Sequence, residues 1–225
     1  LDINHRCHPS IVNYASRVLN QKHPLIHHKG DINVYRFLLD GNLRNAAETI
    51  TSWITEWLNI NDIKHASDVA VLAKKANSLK EFSSGLNISH RLYVDTLLND
   101  IGTECADVFS DLMLYKHKAI HTAQDVIEKY SVQLNSESVI ELRNKLKAIR
   151  LEENLEIFLD RCNYFVGLMG INEVKAENDA VRHIWENETL LKLFKPVASD
   201  EVQLMTLHKS KGLEFKIVIH IDLEE

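Results

Sequence analysis

Residues 202–222 read VQLMTLHKSKGLEFKIVIHID. Two apolar runs, 202–207 and 216–221, bracket a polar, hairpin-like connection that carries Thr206, His208, Lys209, Ser210, Lys211, Gly212 and Glu214. Both runs have the composition of strands. Polar residues at the carboxyl end of a buried strand are where α/β sheets place their ligands. Gly212 beside Lys211 lets the backbone turn tightly next to a cation, which suits an anion such as phosphate; on spacing alone a solvated turn is the favoured reading.

The rest of the chain supplies partners for these strands. DVAVLA at 68–73 is a nearly continuous apolar run of the kind found in a buried parallel strand. Before it, 1–4 and 32–39 read as strands. A helix opens near Pro9, and another follows Asn42, with Ala47, Ile50, Ile54, Trp57 and Leu58 on one face. A further helix is expected over 77–85. Strand and helix alternate, which is the pattern of a parallel α/β sheet.

Beyond about residue 100 the pattern changes. Helices are expected at 110–120, 123–130, 137–150, 152–166 and 173–194, with no strand among them. Val139, Leu142, Leu146 and Ile149 form one apolar stripe. Pro196 and Ser199 mark the return to strand pattern. The expected fold is α/β: a parallel sheet domain over 1–86, a helical insertion over 87–196, and the sheet domain resumed over 197–225.

Composition agrees with that plan. The 225 residues include only 7 Gly and 3 Pro, too few for the many tight turns of an all-β sandwich or barrel. No apolar run is long enough to span a bilayer, so no membrane partner is expected. The first ten residues lack the pattern of a secretory signal, and the chain reads as a piece of something longer. Cys7, Cys105 and Cys162 are odd in number and widely spaced, which points to a reducing, cytoplasmic setting rather than a disulfide framework or thiolate zinc site. The formal net charge of −6 argues against coating nucleic acid by bulk electrostatics. The acidity is concentrated in the middle: 85–201 hold 13 Lys and Arg against 20 Asp and Glu, while 1–84 hold 10 against 8.

A second chemical signal is LDINHRCHPSI at 1–11. Arg6 follows a strand and precedes a helix, so its planar guanidinium can project from the same sheet edge as the 206–214 turn and meet phosphate oxygens, or pair with a surface carboxylate. Together the two segments resemble the UvrD/Rep-like superfamily 1 DNA helicases. LDINHRCHPSI looks like that family's motif IV and VQLMTLHKSKGLEFKIVI like its motif V, with T-x-H-x-x-K-G-L-E-F the most specific part. DVAVLAKKAN is similar to the strand that follows motif IV. The resemblance spans roughly 1–86 and 197–225; the middle matches only as a comparatively short helical insertion.

The resemblance implies a RecA-like (P-loop-NTPase-type) domain and a set of roles. Arg6 would be catalytic, reaching the γ-phosphate of ATP. Gly212 and Glu214 would contact the nucleotide, the latter at its ribose. Thr206, His208, Lys209 and Lys211 would bind single-stranded DNA. The implied cofactors are ATP and Mg²⁺, held mainly by a domain outside this chain. The implied partners are single-stranded DNA and a duplex junction, the remaining helicase domains of the same polypeptide, and repair or replication proteins. Asn4-His5-Arg6-Cys7 departs from the family's usual N-Y-R-S: the arginine is kept and the tyrosine ring is lost. The sequence contains no G-x-x-x-x-G-K-[ST] loop and no D-E-x-Q segment, so this stretch alone should not hydrolyse ATP. A non-catalytic DNA-binding module of a nuclease or repair complex is the rival reading. A protein-docking role for the acidic helical block is a third.

Other candidates are weaker. His23, His27 and His28 cluster beside Pro24, but a metal site needs a further ligand of matching geometry, and none is expected. Arg143, Lys145, Lys147 and Arg150 could touch duplex DNA; Glu137, Glu141, Glu152 and Glu153 flank them and favour a self-paired, solvated face. Trp53, Trp57 and Trp185 read as core, unless one is exposed enough to stack on a base.

Overall fold

The computed structural model describes residues 34–60, 63–117, 122–130, 136–171 and 173–222, with residues 9, 12, 13 and 17. The expected strand at 1–4, Arg6, Cys7 and the histidines at 23, 27 and 28 lie outside the described residues. The chain divides into two compact units at Gly41. In the first unit, 34–40 form no ladder, so the strand expected over 32–39 is not found across its described part. Tyr35, Phe37 and Leu38 are largely exposed. Their β-prone composition produced the expectation, but a strand exists only where another backbone accepts its hydrogen bonds.

The second unit holds a four-stranded sheet in the order β2-β3-β1-β4, formed by β1 (Val69–Ala73), β2 (His90–Leu92), β3 (Val202–Thr206) and β4 (Ile217–His220). All its pairings are parallel: Val71 stands opposite Leu204 and Ile219, and Leu92 opposite Leu204. Every residue of β1 is buried, which accounts for its unbroken apolar run. β3 and β4 are therefore not a hairpin. β1 lies between them, and residues 207–216 must travel from the carboxyl edge of the sheet back to its amino edge. They do so without a helix, crossing one sheet face, where Phe215 packs with Ala70, Leu72, Met205 and Tyr93. The arrival is pinned by Lys216, whose amide donates to the Asp68 carbonyl and whose ammonium lies 2.7 Å from the Asp68 carboxylate.

Two helices cover the opposite face. α1 (Leu43–Asn59) starts at Asn42, whose side chain accepts from the Asn45 amide, and buries Ala47, Ile50 and Ile54, with Trp53 and Trp57 packed alongside. α2 (Ala76–Gly85) buries Leu79 and Phe82. The helices approach so closely at Gly85 that a Cβ there would stand 2.3 Å from the Arg44 carbonyl oxygen. Backbone cannot yield as a flexible side chain can. Gly85→Ala is accordingly expected to destabilise by about 3 kcal/mol, the upper range for overpacking. A urea midpoint equal to that of the wild type would disprove this close contact.

Between β2 and β3 lies a helical block with its own core. It comprises α3 (Leu97–Ile101), α4 (Glu104–His117), α5 (Ala123–Tyr130), α6 (Ser136–Leu151), α7 (Leu155–Gly167), α8 (Lys175–Glu186) and α9 (Glu188–Leu191), closed by a 3₁₀ turn at Lys192–Phe194. α4 is central, burying Val108, Phe109, Leu112 and Met113 against its neighbours. The stripe from α6 is inside: Leu142, Leu146 and Ile149 are buried. The single helix expected over 173–194 is instead broken at Asn187. The side chain of Asn187 accepts from the Thr189 and Leu190 amides and caps a new helix start. Several basic residues of α6 have partners on other helices, which the expectation of a self-paired face did not include. Lys145 lies over the Tyr164 ring and Arg150 over the Tyr115 ring, while Glu152 pairs with Arg161. A helix of this length offers its long cations aromatic neighbours on α4 and α7, which local sequence does not reveal.

The two passages between sheet and block are joined by Arg91 of β2. Its guanidinium donates to the carbonyls of Lys195 and Pro196 at 2.6 and 3.0 Å, and to Glu201 at 2.7 Å. Glu201 also pairs with Lys192 and accepts from the Ala198 amide at 3.1 Å. Both charged side chains are 2% exposed. The entry strand and the return segment of the helical block are thus stapled at one buried point.

Candidate functional site

The carboxyl edge of the sheet brings together the ends of β1, β3 and β4. Thr206 is the last residue of β3 and is half-buried. Its carbonyl accepts from the Ser210 amide at 3.1 Å and its hydroxyl from the Lys209 amide at 3.4 Å. Lys211 donates its amide to the His208 carbonyl, and Leu213 to that of Ser210. These short-range bonds wind 207–212 into a compact turn. The turn is released by Gly212, whose φ of +87° lies in the region that side chains disfavour. A Cβ at Gly212 would meet nothing within 4 Å, so its backbone is open to approach.

The seven candidate residues divide accordingly. His208, Lys211 and Glu214 are exposed on the turn and its descent. Lys209 is turned back: its ammonium donates to the Val94 carbonyl and lies 2.8 Å from the Asp95 carboxylate, tying the turn to the segment after β2. Thr206 is engaged in the turn's own bonding. Arg6 lies outside the described residues. The structure therefore gathers Thr206, His208, Lys209, Lys211 and Gly212 on the turn at the carboxyl end of β3, with Glu214 on the descent that follows.

One participant at this edge was missed in the sequence. Asp222, just beyond β4, has φ +59° and a side chain only 2% exposed. Its carboxylate accepts from the Lys74 amide at 3.0 Å and the Lys75 amide at 3.2 Å, capping the loop that leads from β1 into α2. Negative charge at the start of a helix is favoured by its exposed amides. His220 sits beside it, Nε2 3.6 Å from Asp222 Oδ1. Burial pushes the His220 pKa down, and Asp222 opposes the shift without reversing it. The available signal was a single Asp after IVIHI; its partners lie about 150 residues earlier, beyond any local reading.

Sheet order and helical content define a parallel α/β domain of the RecA-like type, with a helical block between β2 and β3. The model of the UvrD-like helicase C-terminal domain matches residues 92–225, more than half of the chain, and the chain belongs to that family. No curated protein matches it. No helix among the described residues is long and apolar enough to cross a membrane.

Proposed function

We propose that this chain is the C-terminal-half portion of an ATP-dependent DNA helicase or translocase, which couples ATP hydrolysis to movement on single-stranded DNA and duplex unwinding in DNA repair or replication. The observation that carries the reading is the family match, which includes the exposed turn at the end of β3. On this reading the chain divides into a RecA-like domain at 1–86 and 197–225 and a helical insertion at 87–196, save that β2 (His90–Leu92) is part of the sheet and goes with the former. ATP and Mg²⁺ are held mainly by the rest of the polypeptide, where they supply the phosphoryl-transfer chemistry. The open backbone at Gly212 and the exposed Glu214 suit a nucleotide ribose and its neighbourhood. Arg6 serves the γ-phosphate.

Thr206, His208 and Lys211 border the single strand. Lys209 adds positive charge there while holding the turn to Asp95. Because nucleotide and strand contacts share one short turn between β3 and β4, a shift caused by one ligand is felt by the other.

The test is ATPase activity of the full polypeptide with and without single-stranded DNA. Strong stimulation by DNA is the expected outcome. Under the same conditions His208→Ala should weaken single-strand affinity by about fivefold, the effect of losing one stacking or hydrogen-bonding contact. Absence of ATPase in the wild type would replace the motor by a non-catalytic DNA-binding module, and unchanged affinity in the variant would remove His208 from the track.

A further inference from the structure

A cavity of about 440 Å³ opens in the helical block, away from the turn just described. Lys116, His117, Arg150, Glu153, Trp185 and Lys195 line it. Lys116 and His117 come from the end of α4, Arg150 from the last turn of α6, Trp185 from α8, and Lys195 from the return segment. The volume lies within the range of small-molecule sites.

The electrostatics of the cavity are unusual for an acidic block. The Lys116 side chain is 2% exposed, and its ammonium faces the Trp185 ring at 5.3 Å and the Phe158 ring at 6.0 Å. A buried ammonium requires an anion close by. It donates to the Glu152 carbonyl, and its carboxylate partner is Glu153 at 3.3 Å. The Glu153 side chain is 86% exposed, on the short link between α6 and α7. That carboxylate is held from the solvent side and can leave when another anion takes its place beside the buried ammonium. Arg150 and Lys195 add two further positive charges. Three cations against one carboxylate leave an excess near that of a phosphate monoester, about −1.5 to −2, with opposite sign. The wall bearing Lys195 is fixed in place by Arg91, which holds the Lys195 and Pro196 carbonyls.

His117 lines the same cavity. Its Nε2 is buried with no hydrogen-bond partner among the described residues. Burial, and then the Lys116 and Lys195 ammoniums, push its pKa down to about 4, with Glu153 opposing. The imidazole is thus kept neutral first by its burial and second by the neighbouring ammoniums.

We infer that this cavity is a binding site for a phosphate-type oxyanion, and that the Glu153 carboxylate is its internal stand-in, displaced when the ligand enters. A free nucleotide and the backbone of a nucleic acid share that chemistry. The experiment follows His117 by NMR and Trp185 by fluorescence in the 225-residue chain, at constant ionic strength set with chloride. The probes are inorganic phosphate, AMP and a short unphosphorylated single-stranded oligonucleotide. Saturable shifts with phosphate are expected, together with a rise in the His117 pKa, because an adjacent anion favours the imidazolium. Saturation by AMP and not the oligonucleotide assigns a free ligand; the reverse assigns the strand backbone.

Lys195→Gln, an exposed position, should weaken phosphate binding about tenfold. Glu153→Gln should tighten it, since the competing carboxylate is gone; a purely structural role for Glu153 gives no such gain. Absence of any saturable shift overturns the inference, as does weaker or unaltered binding in Glu153→Gln with the far-ultraviolet circular dichroism of the wild type.

Discussion

Arg6→Ala in the full polypeptide is expected to lower DNA-stimulated ATP turnover by at least about 10³-fold, the lower bound for an arginine that stabilises a transferring phosphoryl group. Single-strand affinity should change little, because the proposed DNA contacts lie on the turn after β3. The separation of the two effects is the point of the measurement. A guanidinium that only pairs with a surface carboxylate contributes about 1 kcal/mol or less to stability and nothing to turnover. Arg6→Lys sharpens the test: a point charge replaces a planar fork and should recover only part of the rate. Near-normal turnover in Arg6→Ala would refute the assigned role and leave the rest of the proposal standing.

The second large effect concerns the staple between sheet and helical block. Glu201→Ala should destabilise the protein by about 3–5 kcal/mol, because it strands the Arg91 guanidinium in a buried site. Replacing both residues, Arg91→Met with Glu201→Met, should cost less than Glu201→Ala alone, since the one charge left without its partner, that of Lys192, is exposed to solvent. Thermal or urea unfolding of the three proteins decides the matter. A loss below about 1 kcal/mol in Glu201→Ala would place the pair among weak surface bridges instead.

The staple also has a pH signature. Burial raises the Glu201 pKa, but Lys192, the Ala198 amide and Arg91 together outweigh it, and the net shift is downward. A carboxyl group depressed on folding contributes stability that is complete above its ordinary value of 4.5 and is lost as the pH falls through the lower folded value. The wild type should therefore lose stability below pH 4.5 more steeply than the doubly substituted protein.

Much of this architecture is written in short-range pattern. The five buried residues of β1 are legible in DVAVLA because a strand covered on both faces tolerates no polar side chain. α1 is legible because Asn42 caps it and its apolar residues recur at helical spacing. α5 is found at the expected bounds of 123–130. The short β2 escaped notice because three residues, one of them a buried arginine, carry no period to detect. The break at Asn187 escaped because apolar spacing continues through it, and only the side-chain cap separates two helices from one.

At the carboxyl edge, the turn residues are contiguous and so could be named in advance, whereas their states could not. Lys209 and Lys211 are two positions apart and read alike as cations. Tertiary structure alone places Asp95 beside the first and leaves the second exposed. Arg91, Glu201 and Asp222 have the same history: each looks like an ordinary surface charge, and each is buried by partners far along the chain.

The sequence by itself determined most of the elements, the alternation that demands a parallel sheet, the helical interruption and the family, since all of these rest on local periodicity or contiguous motifs. Tertiary structure decided that β1 separates β3 from β4, that residues 207–216 descend across a sheet face, and which charges are stapled inside. Pairing between distant backbones and the burial of distant charges depend on where chain closure brings them, and no local periodicity encodes that.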